Sequence, residues 1–246
     1  MNDLYFNEKD ILMLSIQMLQ QLNVLHKNGI IHNDIKPENF VFDKQNKKFK
    51  IIDFGLSSFY ITNKNHIKFS EKCSRFGTLR YMSINAHKKY SLSRRDDLIS
   101  LSYVLIYLSR IKIPWKGITN KIEKNKLHST LINLKENFHE NILSYNIKSP
   151  IISLYNYSTN LSFASEPDYN YLIKGFYNYL KYSKYALKIQ KTVRGFNQRH
   201  FILNCGPAIL AISGSTLLVV ILKSDAGSVI YPIFFKKLLY SSLLIG

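Results

Sequence analysis

The sequence predicts a mainly α-helical fold with a minimal sheet. Three observations carry that prediction: a long apolar-periodic run near the N-terminus, mostly helical patterning from about 93 to 183, and only two short β-type runs between them. With 246 residues, 46% of them hydrophobic, the chain has enough apolar content for a substantial core.

Residues 9–28, "KDILMLSIQMLQQLNVLHKN", are apolar at Ile11, Leu12, Leu14, Ile16, Met18, Leu19, Leu22 and Leu25. A helix apolar over most of its surface belongs at the buried centre of a helical domain. Gly29 follows as a left-handed cap. "FVF" (40–42) and "FKIID" (49–53) read as strands, and the polar "DKQNKK" between them predicts a small hairpin. "DLISLSYVLIYL" (97–108) is the most hydrophobic helix. "SEPDYNYLIKGFYNYL" (165–180) carries its own start signal, Ser165 to Asp168 ahead of an apolar run.

Composition shifts near residue 184. "YSKYALKIQKTVRGFNQRHF" (182–201) reads as a basic helix, and residues 201–222 carry no formal charge. At about 1.5 Å per residue that uncharged run has the length of a membrane-spanning helix. Gly206, Pro207 and Gly214 weaken the membrane reading, and a buried element or a non-native reading frame are the alternatives. The net charge is +18, and after Asp168 ten Lys and Arg face the single acidic residue Asp225. Such a skew points to an acidic partner (nucleic acid, anionic lipid or acidic protein) or reflects Lys-rich composition alone. Cys73 and Cys205 lie far apart with no metal-ligand spacing, and "MNDLYFNEKD" has no secretory signal. The expectation is a reduced, intracellular, cytoplasmic protein, with membrane anchoring through the tail as the alternative.

The chemistry concentrates in "IIHNDIKPENF" (30–40). Phosphoryl transfer needs a carboxylate for the attacking hydroxyl, cations around the phosphates and ligands for magnesium. Asp34 and Lys36, two apart in an extended loop, can face one substrate hydroxyl and its incoming phosphoryl group. Asn39 follows Pro37, which stiffens the loop, and offers an amide oxygen to a hard cation. The hairpin then folds the chain back so that Asp53 can approach Asn39, a donor pair that suits magnesium better than calcium.

"HNDIKPEN", fitting at His32, Asp34 and Asn39, and "DFG" at Asp53, Phe54 and Gly55 resemble the signature of protein kinases. More specifically, "FGTLRYMSINAH" (76–87), "SRRDDLISLSYVL" (93–105), "IPWKG" (113–117) and "PDYNYL" (167–172) resemble the casein kinase 1 family, with Ser83-Ile84-Asn85 where most kinases have Ala-Pro-Glu. The resemblance runs over roughly residues 3 to 183. It implies a protein-kinase-like C-lobe over 1–183, then an IQ-like helix (184–200) and a hydrophobic tail (201–246).

The same resemblance implies a serine/threonine kinase using ATP and Mg2+. Asp34 resembles the catalytic base, Lys36 the cation on the transferred phosphate, and Asn39 and Asp53 the magnesium ligands. Thr78 looks like the hydroxyl that positions Asp34 and Lys36. Arg80 looks like part of an anion site for acidic or prephosphorylated protein substrates. Asp97 resembles the helix carboxylate that holds the loop by its backbone. His32 reads as a packed, hydrogen-bonded histidine, Trp115 as core, and Cys73 as a loop residue. Nucleic acid is not an expected partner.

Two departures stand out. Asn33 replaces the arginine that commonly binds a phosphorylated activation loop, which argues against activation of that kind. Only thirty-one residues precede His32, with no glycine before Gly29 and no "VAIK"-like strand. The expectation is a truncated kinase lacking its ATP-covering N-lobe. Finally, "IQKTVRGFNQR" (189–199) resembles the IQ motif at Ile189, Gln190, Arg194, Gly195 and Arg199, which implies a calmodulin-like partner. A non-catalytic adaptor built on that helix is the alternative function.

Overall fold

The computed structural model describes residues 7–46, 48–118, 121–144, 149–194, 201–205, 208–213, 217–224 and 227–233. The chain divides into two compact units, residues 1–180 and 181–246.

The first unit opens with helix α1, Glu8–Lys27. Asn7 caps it: its Oδ1 accepts the Asp10 N–H at 3.0 Å, while Asp10 Oδ2 faces the Asn7 N–H at 3.3 Å. The eight apolar positions singled out above are all buried, with Leu19 and Leu22 fully so. Gly29 adopts φ +76° and closes the helix with its N–H on the His26 carbonyl. Next come β1 (Ile30–Ile31), β2 (Phe40–Asp43) and β3 (Lys48–Ile51). Strands β2 and β3 form the hairpin read from the sequence, with Phe40 opposite Ile51. The short pairs β1 with β4 (Ser58–Phe59), and β5 (Ile61–Thr62) with β6 (Asn65–His66), were not legible beforehand.

Short helix α2 (Ile84–His87) precedes α3, Arg94–Leu108. Helix α3 buries Asp96 to Ile99 and Leu101 to Ile106, which makes it the true centre, with α1 packed against it. Helices α4 (Lys124–Ser144), α5 (Pro150–Asn160) and α6 (Tyr169–Arg194) complete the helical framework. Ahead of α6, Asp168 Oδ1 accepts the Tyr171 N–H at 2.8 Å, as the start signal at 165–168 predicts. Tyr103, Trp115, Phe138 and Tyr155 meet edge-on or tilted with centroids 5.2 to 6.3 Å apart, a favoured geometry for buried rings.

In the second unit, β7 (Phe201–Cys205), β8 (Ala208–Ser213), β9 (Leu217–Ser224) and β10 (Gly227–Ile233) make an antiparallel meander. Within 201–222, the segment whose length suits a membrane-spanning helix, the described residues are in strands. Its apolar runs are short and rich in Ile and Val, and Gly206-Pro207 and Gly214 divide them, which favours strands. Among the described residues no helix is long and apolar enough to cross a membrane. Of the IQ-like positions, Ile189, Gln190 and Arg194 lie on α6, whereas Gly195 and Arg199 lie outside the described residues.

Candidate active site

The loop from His32 to Asn39 is suspended from α3. Asp97, in the first turn of that helix and 2% exposed, accepts the His32 N–H through Oδ2 at 2.7 Å and the Asn33 N–H through Oδ1 at 2.9 Å. One carboxylate thus satisfies two consecutive backbone donors, a charge-assisted arrangement that fixes the loop's direction. His26 Nε2 lies 2.9 Å from the same Oδ2, and its Nδ1 lies 2.5 Å from the Tyr169 hydroxyl. With Nε2–H donating to the carboxylate, Nδ1 accepts from Tyr169. The Tyr60 hydroxyl donates to the His26 carbonyl at 2.6 Å. The resemblance anticipates Asp97 under the loop but not His26, Tyr60 and Tyr169, which are spread over α1, the segment after β4 and α6 and share no local pattern.

Asn33 sits at φ +66°, a left-handed conformation that asparagine tolerates better than most residues. Its amide donates to the Leu56 carbonyl at 2.8 Å and to Ser58 Oγ at 3.0 Å. The residue that looked like a loss of regulation therefore also ties the loop to the segment after Phe54.

Asp34 is 7% exposed, and both carboxylate oxygens are engaged. Oδ1 accepts from the Thr78 N–H at 2.8 Å and the Thr78 hydroxyl at 2.7 Å, and Oδ2 from Lys36 Nζ at 2.6 Å. Burial pushes the Asp34 pKa upward. The hydrogen bonds from Lys36 and Thr78 and the charge of Lys36 outweigh it, so the carboxyl lies below the usual range. The bond to Asp34 raises Lys36 despite some desolvation, and the charge of Asp53 adds to the rise. Lys36 therefore stays an ammonium within the field of both carboxylates.

Asn39 is buried, and its Nδ2 donates to the Asp34 carbonyl at 2.9 Å, which leaves Oδ1 to accept. Its own carbonyl takes the Ile52 N–H at 2.9 Å, and Asp53 follows at φ +64°. The exposed Asp53 carboxylate holds the Gly55 N–H at 3.3 Å through Oδ1. A carboxylate and an amide oxygen are hard donors, too few for a calcium cage but suited to a cation that keeps water and phosphate ligands. Among the described residues no group of three or more His, Cys, Asp and Glu could hold a metal by itself.

His32 is fully buried, with Nε2 3.1 Å from the Ile52 carbonyl and Nδ1 accepting the Asp34 N–H at 3.3 Å. Both ring nitrogens are occupied by backbone, so it packs and orients. Arg80 is half-buried, its guanidinium 5.3 Å from the Tyr107 ring centroid. Ser83 Oγ and Asn85 Nδ2 both donate to Asp96 Oδ1, at 2.7 and 2.8 Å, and the Ser93 N–H takes Oδ2 at 2.9 Å. That buried carboxylate anchors the Ser-Ile-Asn segment to α3.

Gly77 brings the strand of chain bearing Thr78 onto the loop. It adopts φ +100°, and a Cβ there would lie 2.6 Å from the Asn33 carbonyl oxygen, so only glycine permits this approach. The structure thus brings Asp34, Lys36, Asn39 and Thr78 into one cluster, with Asp53 beside it. The family model described as "Protein kinase domain" matches residues 1–185 of the chain.

Proposed function

Because the chain belongs to the protein kinase domain family, we propose that it is a serine/threonine protein kinase of casein kinase 1 type, acting through Asp34. The observation that carries this reading is the Asp34 carboxylate, buried, held by Thr78 and bonded to Lys36. With its pKa lowered, Asp34 is ionised at neutral pH and is a weak base. It orients a substrate Ser or Thr hydroxyl and accepts the proton late, as a loose transition state requires. Lys36 sets positive charge next to that hydroxyl, where the transferred phosphoryl group arrives. Asn39 Oδ1 and the Asp53 carboxylate would hold Mg2+. The ion, when bound with ATP, neutralises charge on the phosphates. Arg80 would meet an acidic or phosphorylated residue of the substrate.

Residues 1–31 hold no glycine-rich loop, and Val41, Phe42, Ile52 and Phe54 next to the site are exposed. Both features support the expectation that efficient transfer needs a nucleotide-covering element beyond these residues. Transfer from ATP to Ser/Thr peptides, by this chain or by a form extended with such a lobe, should fall about a thousandfold in Asp34→Asn and in Asp53→Ala, with the fold retained. Transfer that survives both substitutions refutes the assignment. The second reading, an adaptor binding a calmodulin-like protein, is favoured by the helical backbone that carries Ile189, Gln190 and Arg194 on α6. Absence of Mg2+–ATP binding in either form, together with calmodulin binding, would select it.

A further inference from the structure

Beyond Thr78 the chain turns into the lobe, and three carbonyls of the turn end on side chains from elsewhere. The Leu79 and Met82 carbonyls accept from Lys135 Nζ at 3.1 and 2.5 Å, and the Arg80 carbonyl accepts from Trp115 Nε1 at 2.8 Å. On the inner side, the Tyr81 and Met82 N–H groups donate to the Thr78 carbonyl at 2.8 and 2.9 Å. Thr78 therefore lies between two fixed points: Gly77, pressed against Asn33, and this turn.

Lys135 is an unusual choice for the second point. It projects from α4, is 0% exposed and has no carboxylate partner among the described residues. Its third acceptor is His87 Nε2 at 2.9 Å, and the Tyr103 and Trp115 ring centroids lie 5.0 and 5.2 Å from Nζ. Three N–H donors meet three acceptors between two π faces, a set that fits an ammonium. Burial pulls the Lys135 pKa well down, so holding the charge here depends on those acceptors. A methionine would fill the space without that cost, and what the lysine adds is the grip on two carbonyls.

We propose that Lys135 is a positioning residue, which fixes the Leu79–Met82 turn and thereby holds Thr78 on Asp34. Its catalytic meaning rests on the reading of Asp34 above; its geometry does not. The arrangement also dictates proton placement. If Lys135 donates to His87 Nε2, His87 carries its proton on Nδ1 and donates to His128 Nδ1, 2.9 Å away. A neutral amine would instead accept a hydrogen bond from His87 Nε2–H, with its two N–H groups left for the Leu79 and Met82 carbonyls.

Two measurements on the full chain test this, and neither uses phosphate transfer, so failure here and failure of the kinase reading are distinguishable. In the wild-type protein, two-bond 1H–15N correlations of labelled histidine should read His87 as the neutral Nδ1–H form; an imidazolium, which offers Lys135 no acceptor, overturns the arrangement around Nζ. In Lys135→Met, hydrogen exchange at the Tyr81 and Met82 amides should accelerate about tenfold or more relative to Leu101 and Val104 in α3. Equal acceleration at both sets would mark Lys135 as a general stability residue and overturn the positioning role. Should Lys135→Met fail to fold, wild-type exchange decides: the Tyr81 and Met82 amides should be protected well beyond loop rates, and exchange at loop rates would overturn the fixed turn.

Discussion

Acidification from pH 7 to pH 5 should destabilise the fold through His87, and the size of the effect follows from where that ring sits. His87 is 1% exposed, with Lys135 on one nitrogen, His128 on the other and Arg75 Nε on its carbonyl at 3.1 Å. Burial, then the charges of Lys135, His128 and Arg75, push its pKa down to about 2. The folded value is depressed, so the unfolded chain takes up a proton that the native one refuses. Stability from this group is therefore complete above the unfolded pKa and falls as the pH drops below it. With an ordinary histidine pKa of about 6.5 when unfolded, the loss between pH 7 and 5 is about 2 kcal/mol. His128 is also lowered, chiefly by burial, and adds a loss of the same sign. Asp34 contributes stability above the ordinary carboxylate pKa that is lost only as the pH falls further, so it does not enter this window. Urea denaturation at the two pH values, on wild type and His87→Gln, checks the reasoning. Glutamine keeps an acceptor for Lys135, and the loss between pH 7 and 5 should shrink by about 2 kcal/mol. An undiminished loss in the variant would refute the assignment of the effect to His87.

Two further outcomes follow from the site geometry. Gly77→Ala places a Cβ 2.6 Å from the Asn33 carbonyl at φ +100° and should cost about 1–3 kcal/mol; an unchanged thermal midpoint would contradict it. Asp97→Ala strips the acceptor from the His32 and Asn33 N–H groups and from His26. It should cost about 3–5 kcal/mol and expose those two amides to fast exchange, whereas Asp97→Asn, which keeps one acceptor oxygen, should cost less.

Much of the helical framework was legible because its signals are local. The apolar positions of α1 repeat with helical period, Gly29 marks its end, and a polar run separates β2 from β3. The 32–39 loop was legible as a set of residue types at fixed spacing, before any contact was known. In the sequence Asn33 stands out for the charge it lacks, whereas its bonds to Leu56 and Ser58 depend on a segment more than twenty residues away. Trp115 after Pro114 reads as core, which its burial supports, whereas its bond to the Arg80 carbonyl follows only from the packing of distant segments. No motif in the sequence marks Lys135 as an anchor. A signal existed, since it shares a helix face with the buried Leu127, Leu131 and Phe138, three and four residues apart along α4. A lysine on an apolar face is ordinarily read as one that reaches out to water.

By itself, then, the sequence determined the long N-terminal helix, the helical character of about 93–183, where the hairpin turns, and which carboxylates, ammonium and amide are available to a phosphoryl group, because period, caps and motif spacing are properties of neighbouring residues. The resemblance pointed to Asp97 and Thr78 as groups that hold that set, and only the tertiary structure decided the contacts through which they do so and added Gly77 and Lys135. Asp97 grips the loop from α3, Gly77 lets Thr78 reach Asp34, and Lys135 anchors the far side of the turn from α4. Each of these joins groups 44 to 65 residues apart. Buried backbone donors and acceptors must find partners wherever packing places them, and local sequence carries no record of that distant match.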